Sequence, residues 1–555
     1  MKIDTEFSER MVSYLTYKIN QKLKSNKMQI LSFITFTLFV AIVSYYKSRK
    51  NDENTSDGYF LGGRSLTGVV IAGSLLLTNL STEQIVGLNG AAFKEGILVM
   101  AWETLAAIAM VVTAFFLLPR YLKGGITTVP QFLERRYDKT TRTIASGLFL
   151  TGYAVILLPI VLYSGALAIN SMFDVPSLIG MSKNGALWIT VWAIGIIGSI
   201  YAIFGGLKAV AISDTINAVG LLIGGLMIPV FGLLAVGDGS ITQGVSVLLE
   251  SHPDKFNSIG SSDSSIPFGT IFTGMMLVQL FYWGTNQAII QRALGAQNLK
   301  EGQKGLLYAA VLKILGPLIV VLPGIIAFHM FGDSLTNPDE AYPLLVKNVL
   351  PVVLVGFFAA VLFGAILSSF NSALNSSVTL FGLGIYKVYI NKEADEQTTV
   401  KAGKTFGTVL AVVSMCIAPL LIYASDGLFA YLQEVNGIYS IPILTIIVVG
   451  YMTKSVPAIA AKIGIISGSV LYIISQFIIK PYVVGPENYP HFLHVMAILF
   501  ALNVIIMLVI GKLYPREVEY NQKYTEQVDI QPWKYSTVTG IVICIIVIST
   551  FIYFS

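Results

Sequence analysis

Apolar runs follow one another along almost the whole chain, separated by short polar stretches. They fall near 29–46, 66–93, 98–119, 143–171, 186–204, 209–236, 268–291, 304–330, 344–386, 405–423, 427–451, 457–478, 491–511 and 534–554. Most are at least as long as the roughly 20 residues that cross a hydrocarbon layer of about 30 Å. A backbone in lipid must satisfy its own hydrogen bonds. The pattern therefore predicts an all-α membrane protein of about fourteen transmembrane helices. The run 344–386 is too long for one straight crossing, so its ends are expected to project into water or tilt.

Two runs are interrupted by polar residues. The first carries Asn79-Leu80-Ser81-Thr82-Glu83-Gln84 between two apolar halves, and five runs later Gln279 to Gln291 forms a comparable interruption. Polar-broken helices at corresponding positions of two halves mark the binding sites of transporters built from inverted repeats. The 50 glycines suit close helix packing and local unwinding at such places.

Composition narrows the class. Charged residues make up only 12% of the chain and hydrophobic ones 54%, against about 25% charge in an ordinary soluble domain. The net charge of +5 is no nucleic-acid signal, because Lys and Arg concentrate in alternate loops, as positive-inside topology requires. The richest stretch runs from Arg120 to Arg142. These loops are expected in the cytoplasm of a bacterial inner-membrane protein, with both termini outside. Residues 1–28 read as a basic N-terminal extension that violates the rule, with Met28 a plausible start. Cys416 and Cys544 lie within apolar runs, where buried, unreactive thiols are expected. The four histidines, His252, His329, His491 and His494, form no metal or catalytic pattern and read as interfacial or packing residues. No nucleotide-binding motif, zinc spacing or signalling domain points to an enzyme or sensor.

A charge at the bilayer centre costs at least about 2.5 kcal/mol, so Glu83, Glu103, Asp214, Lys313 and Glu434 each ask for a reason. Each alone suits a paired charge locking helices together; five near polar-broken helices favour a polar cavity. Ser368, Asn371, Ser372 and Asn375 recur at three- and four-residue spacing and so share a helix face. Their oxygens suit an alkali cation. They also suit helix packing, and spacing alone leaves both readings open.

The words Gly58-Tyr59-Phe60-Leu61, Gly63-Arg64-Ser65-Leu66, Asn79 to Gln84, Tyr282-Trp283-Gly284-Thr285-Asn286-Gln287, Ile290-Gln291-Arg292 and Ala365 to Ser369 occur in order. On them, the stretch from Gly58 to Tyr389 resembles the sodium/solute symporter family, most closely its bacterial sodium/sugar branch of galactose and glucose type. The resemblance implies a LeuT-type 5+5 inverted repeat. Its organisation would be the extension 1–28, a first helix and loop 29–65, a first repeat 66–236, a second repeat with its preceding outer loop 237–451, and accessory helices 452–555.

The resemblance also implies a sodium site from the backbone carbonyls of Leu77, Leu80 and Ala365 and the hydroxyls of Ser368 and Ser369. A second sodium site in some members would fall on Asp214, Asn371 and Ser372, with asparagine at 371 where a hydroxyl is usual. The sugar-binding positions of the branch fall on Gln84, Glu103, Gln279, Lys313 and Gln433, with Trp102 and Phe429 as aromatic wall. Gln279 replaces an asparagine, and Ala106 stands where the branch has a serine. Tyr282 matches the capping tyrosine and Asn79 its partner. The implied function is sodium-coupled import of a sugar or polyol through the membrane, with small solute, sodium and lipid as partners. An acidic sugar, or a passive solute channel, is the alternative.

Overall fold

The computed structural model describes residues 27–47, 55–423 and 428–555, so the expected extension lies mostly outside the described residues. Twelve of the described helices are long and apolar enough to cross a membrane. The element order begins with α1 (Lys27–Lys47), α2 (Gly68–Asn79), α3 (Thr82–Glu95) and α4 (101–123). It continues with α5 (Lys139–Phe173), α6 (Lys183–Ile203), α7 (Gly206–Val236), α8 (Met276–Gly284) and α9 (Gln287–Leu294). The rest are α10 (Leu299–Phe331), α11 (Val352–Ile390), α12 (Glu396–Ile422), α13 (Phe429–Met452), α14 (Ala458–Val484), α15 (Phe492–Leu513) and α16 (Ser536–Tyr553). The chain is a multi-pass, all-helical membrane protein.

Position in the bundle follows burial. The most apolar part of 82–123 is 83% buried and that of α11 72%, whereas those of α1 and α16 are only 17% and 22% buried. The former are central and the latter face lipid. At the centre α2 packs on α7, α10 and α11, α4 on α10, and α11 on α5 and α7.

Chain breaks appear where the chemistry asks for them. Gly206 separates α6 from α7 at φ 55 and ψ −172, a conformation that β-carbon sterics reserve for glycine. The expected long run 344–386 is divided: Ala341–Val349 is a separate short helix, and α11 starts after Pro351. The word Gly58 to Leu61 lies in a short helix, Ser56–Leu61, in which Tyr59 and Phe60 are fully buried and the Tyr59 hydroxyl donates to the Ile203 carbonyl at 3.1 Å.

Two expectations need correction. Cys416 is exposed and Cys544 half-buried, because each falls on the outer side of a peripheral helix. Glu434 does not belong to a central cavity: its carboxylate pairs with Lys480 of α14 at 2.6 Å, both side chains about a quarter exposed.

Candidate functional site

Both polar interruptions are real helix breaks. α2 ends at Asn79; Leu80 (φ −80, ψ 58) and Ser81 (φ −87, ψ −178) leave helical geometry before α3 begins. In the second, α8 ends at Gly284, Thr285 departs from the helix, and Asn286 caps α9 by accepting from the Ala288 N–H. The Tyr153 hydroxyl donates to the same Asn286 oxygen at 2.6 Å and accepts from the Ala288 N–H at 3.0 Å. Gln291 is fixed as firmly, donating to the Phe60 carbonyl at 2.8 Å and accepting from Ser376 at 2.7 Å.

Beside the first break, three expected solute residues and the expected gate residue Asn79 form one buried polar cluster. Glu103 of α4 and Lys313 of α10 are both fully buried and form an ion pair. Gln84 of α3 donates through Nε2 to Glu103 Oε1 at 2.7 Å, and Lys313 Nζ also donates to Asn79 Oδ1 at 2.5 Å. Glycine at 316 is what admits the carboxylate, since an added β-carbon would collide with Glu103 Oε2. Neighbouring Gln279 is committed to the protein: its amide donates to the Trp102 carbonyl at 2.8 Å and accepts from Trp283 Nε1 at 3.1 Å. Tyr282 is half-buried beside Asn79.

The two expected wall aromatics lie together. Trp102 and Phe429 meet edge-to-face with centroids 5.2 Å apart, a favoured arrangement for aromatic pairs. Both line a cavity of about 210 Å³ whose other walls include Lys94, Glu95, Asp339 and Phe492. Gln433, half-buried, lies one turn beyond Phe429 on α13.

Two of the expected sodium ligands, Ser368 and Ser369, meet the end of α2. Leu77, Leu80 and Ala365 are fully buried, and Ser368 and Ser369 nearly so. Ser369 Oγ donates to the Thr78 carbonyl at 2.7 Å, and Ser368 Oγ lies 2.9 Å from Thr78 Oγ1. Thr78, unremarked in the sequence, thus ties α2 to α11. Asp214 of α7 does not stand with free hydroxyls: it accepts from Ser74 at 2.5 Å and lies 3.6 Å from Arg292 Nη2, which also donates to Ser372. Arg292 and Ser74 are the members that sequence reasoning missed. Arg292 ends the word Ile290-Gln291-Arg292 just past the expected run 268–291, and Ser74 is one small residue in an apolar run. Glu83 is buried, and its Oε2 has no hydrogen-bond partner. His252 and His329 meet each other at 3.2 Å, apart from all of these.

The sequence pattern of the sodium:solute symporter family matches residues 59–468. The chain is 50% identical, over 93% of its length and 89% of the relative's, to the uncharacterized symporter YidK of Escherichia coli (strain K12). It is 33% identical to the sodium/glucose cotransporter of Vibrio parahaemolyticus, covering 80% of this chain and 85% of that one. Among solved structures, a substrate-bound, outward-open Na+-coupled sialic acid symporter shares the fold with a TM-score of 0.74 at 20% identity, over 89% of this chain and 99% of that one.

Proposed function

The chain belongs to the sodium:solute symporter family, and on that premise we propose that it is a sodium-coupled secondary active symporter importing a sugar or sugar-like polyol by alternating access. In this reading about fourteen spans are arranged as a 5+5 inverted repeat, 66–236 and 237–451, with α2–α3 and α8–α9 as the two broken helices. Both termini lie outside, and the arginine-rich 120–142 region faces the cytoplasm.

The observation that carries the solute reading is the buried Gln84–Glu103–Lys313–Asn79 cluster. Amide, carboxylate and ammonium groups beside an aromatic wall give a polyhydroxylated ring several charge-assisted hydrogen bonds. Similarity to the Vibrio sodium/glucose cotransporter supports the same class. The Lys313 charge is already met by Glu103, which favours a neutral solute over an acidic sugar; an anionic solute would have to displace that carboxylate. Gln433, Trp102 and Phe429 complete the solute wall, and Tyr282 with Asn79 forms the gate.

Sodium enters as substrate. The carbonyls of Leu77, Leu80 and Ala365 and the hydroxyls of Ser368 and Ser369 hold it, drawing α2 against α11. Because α3 continues from the break that binds the ion, sodium orders Gln84 for the solute, and the two affinities are reciprocally coupled. When α2 and α11 part toward the inside, Tyr282 moves aside and both substrates leave.

Labelled hexoses, inositol and acidic sugars offered to vesicles in sodium or potassium test this. Sodium-stimulated uptake of a neutral hexose or inositol, lost in Ser369→Ala, is expected. Uptake of anionic sugars alone would reassign Lys313 as the anion's partner, and unchanged sodium stimulation in Ser369→Ala would remove that residue from the ion site.

A further inference from the structure

A second cavity, of about 510 Å³, lies where the α4–α5 connection meets the non-helical chain between α15 and α16. Apart from Gly125, every residue lining it is polar or charged, so it offers nothing to an apolar ligand. Three of those residues are arginines: Arg64, Arg135 and Arg142. Arg64 follows Gly62 and Gly63, and all three hold positive φ, at 61, 65 and 48. That region is ordinary for glycine and strained for arginine. The strained backbone puts the guanidinium between two segments: Nη1 donates to the Leu294 carbonyl at 3.1 Å and Nη2 to the Gly125 carbonyl at 3.2 Å. Arg135 is held in the same way, by donating to the Gly124 carbonyl. Carbonyls orient a guanidinium without neutralising it, and most N–H donors of Arg64 and Arg135 have no protein acceptor.

The two acids of the cavity do not cancel this charge. Glu134 is taken by Arg142 in an ion pair. Asp57 is exposed and acts on Arg64 only through space, forming no ion pair with any of the three arginines. Arg64 and Arg135 are therefore left as uncompensated cations at a polar cavity. Planar guanidinium forks match the oxygens of an oxyanion. Donors arriving from several walls suit the tetrahedral spread of phosphate oxygens better than the single plane of a carboxylate.

We propose that this cavity binds a phosphate group between Arg64 and Arg135, with the Gln527 amide of the α15–α16 connection as a further donor. The walls come from stretches far apart in the chain, 57–64, 125–142 and 527, so a bound phosphate ties them together. They lie on the face that positive-inside reasoning assigns to the cytoplasm, where free phosphate, phosphate monoesters and lipid headgroups all supply the group. Nothing in this assignment depends on the sodium or solute sites, and its failure leaves the transport reading standing.

The test is a titration of the purified full-length protein, in neutral detergent at fixed ionic strength, with radioactive inorganic phosphate. Wild type is expected to bind one phosphate per chain saturably and to melt at a higher temperature with it. Arg64→Gln and Arg135→Gln are each expected to weaken binding about tenfold or more, the loss of one charge-assisted contact. Arg135 is exposed and its hydrogen bond is to a backbone carbonyl, so Arg135→Gln alone decides should Arg64→Gln not fold. Nanodiscs of phosphatidylcholine, with and without phosphatidylglycerol, separate the sources. Phosphate affinity kept in both assigns free phosphate or its monoesters as the ligand, and affinity lost in either assigns a lipid headgroup. No saturable binding in detergent, or binding that a folded Arg135→Gln protein keeps in full, overturns the proposal.

Discussion

Lys313 and Glu103 lie 210 residues apart in the chain, yet each is the other's compensation in a fully buried pair. Removing one member strands the other, at a cost of about 3–5 kcal/mol, whereas replacing both with apolar groups of similar size is often neutral. Glu103→Gln is therefore expected to lower thermal stability sharply in detergent. Glu103→Gln with Lys313→Met is expected to recover most of it without recovering solute binding. If the double variant binds solute normally, the pair is structural only. Gly316→Ala should behave like a milder form of the single variant, because its methyl group collides with the same carboxylate. The charged members of the candidate site were legible in the sequence because burying them has no cheap explanation. Their pairing was not: which acid meets which base depends on helix contacts between distant segments. Ser74 and Arg292 escaped for the same reason, since only the packing of α2, α7 and α9 brings them to Asp214.

The broken helices α2–α3 and α8–α9 hold residues of the candidate site, and each break is stabilised differently. The first is pinned through Thr78 to Ser368 and Ser369. The second is pinned through Asn286, which caps α9 and meets Tyr153. Loss of an N-cap costs about 1 kcal/mol, and leaving a buried tyrosine hydroxyl without its acceptor adds about 1–3 kcal/mol. Asn286→Ala is expected to destabilise by both together, and Tyr153→Phe with Asn286→Ala to depart from the sum of the two single variants, because the Ala288 N–H then loses both of its acceptors. Strict additivity in that double-variant cycle would show that the two side chains do not act together. The breaks were visible in the sequence because polar residues stand out within apolar runs. The detail within 344–386 was not, because Leu350 and Pro351 continue the apolar pattern and only the backbone reveals the turn between two helices. Glu434 misled for the opposite reason: a charge in an apolar run suggested the centre, but its partner Lys480 lies on a neighbouring outer helix.

At the scale of the whole molecule, non-helical chain crosses one face of the bundle and ties it together. Between α15 and α16, Arg516 donates to the Arg136 carbonyl at 2.7 Å, the Thr525 N–H to Lys123 at 3.1 Å, and Asp529 accepts from the Leu299 N–H at 2.8 Å. Arg136, fully buried on the same face, donates to the carbonyls of Gly450, Thr453 and Val456. Positive-inside reasoning assigns this face to the cytoplasm. A fluorescent protein that matures only in the cytoplasm, fused after Ser555, should then stay dark, and bright fusions would invert the topology. The helical membrane class was readable from composition and run length alone. The tie across this face was not, since its contacts join segments of unrelated composition through backbone carbonyls that carry no sequence signal.

The most direct measurement is accumulation of the accepted neutral hexose or inositol in proteoliposomes holding the purified protein, with sodium outside and an inside-negative potential. Each sodium crossing 100 mV contributes about 2.3 kcal/mol, enough for roughly 50-fold concentration of a neutral solute. Concentration well above the outside level, abolished when potassium replaces sodium or the gradients are collapsed, is the predicted result. Equilibration to the outside level regardless of sodium would contradict coupled transport and leave a passive pathway through the same fold.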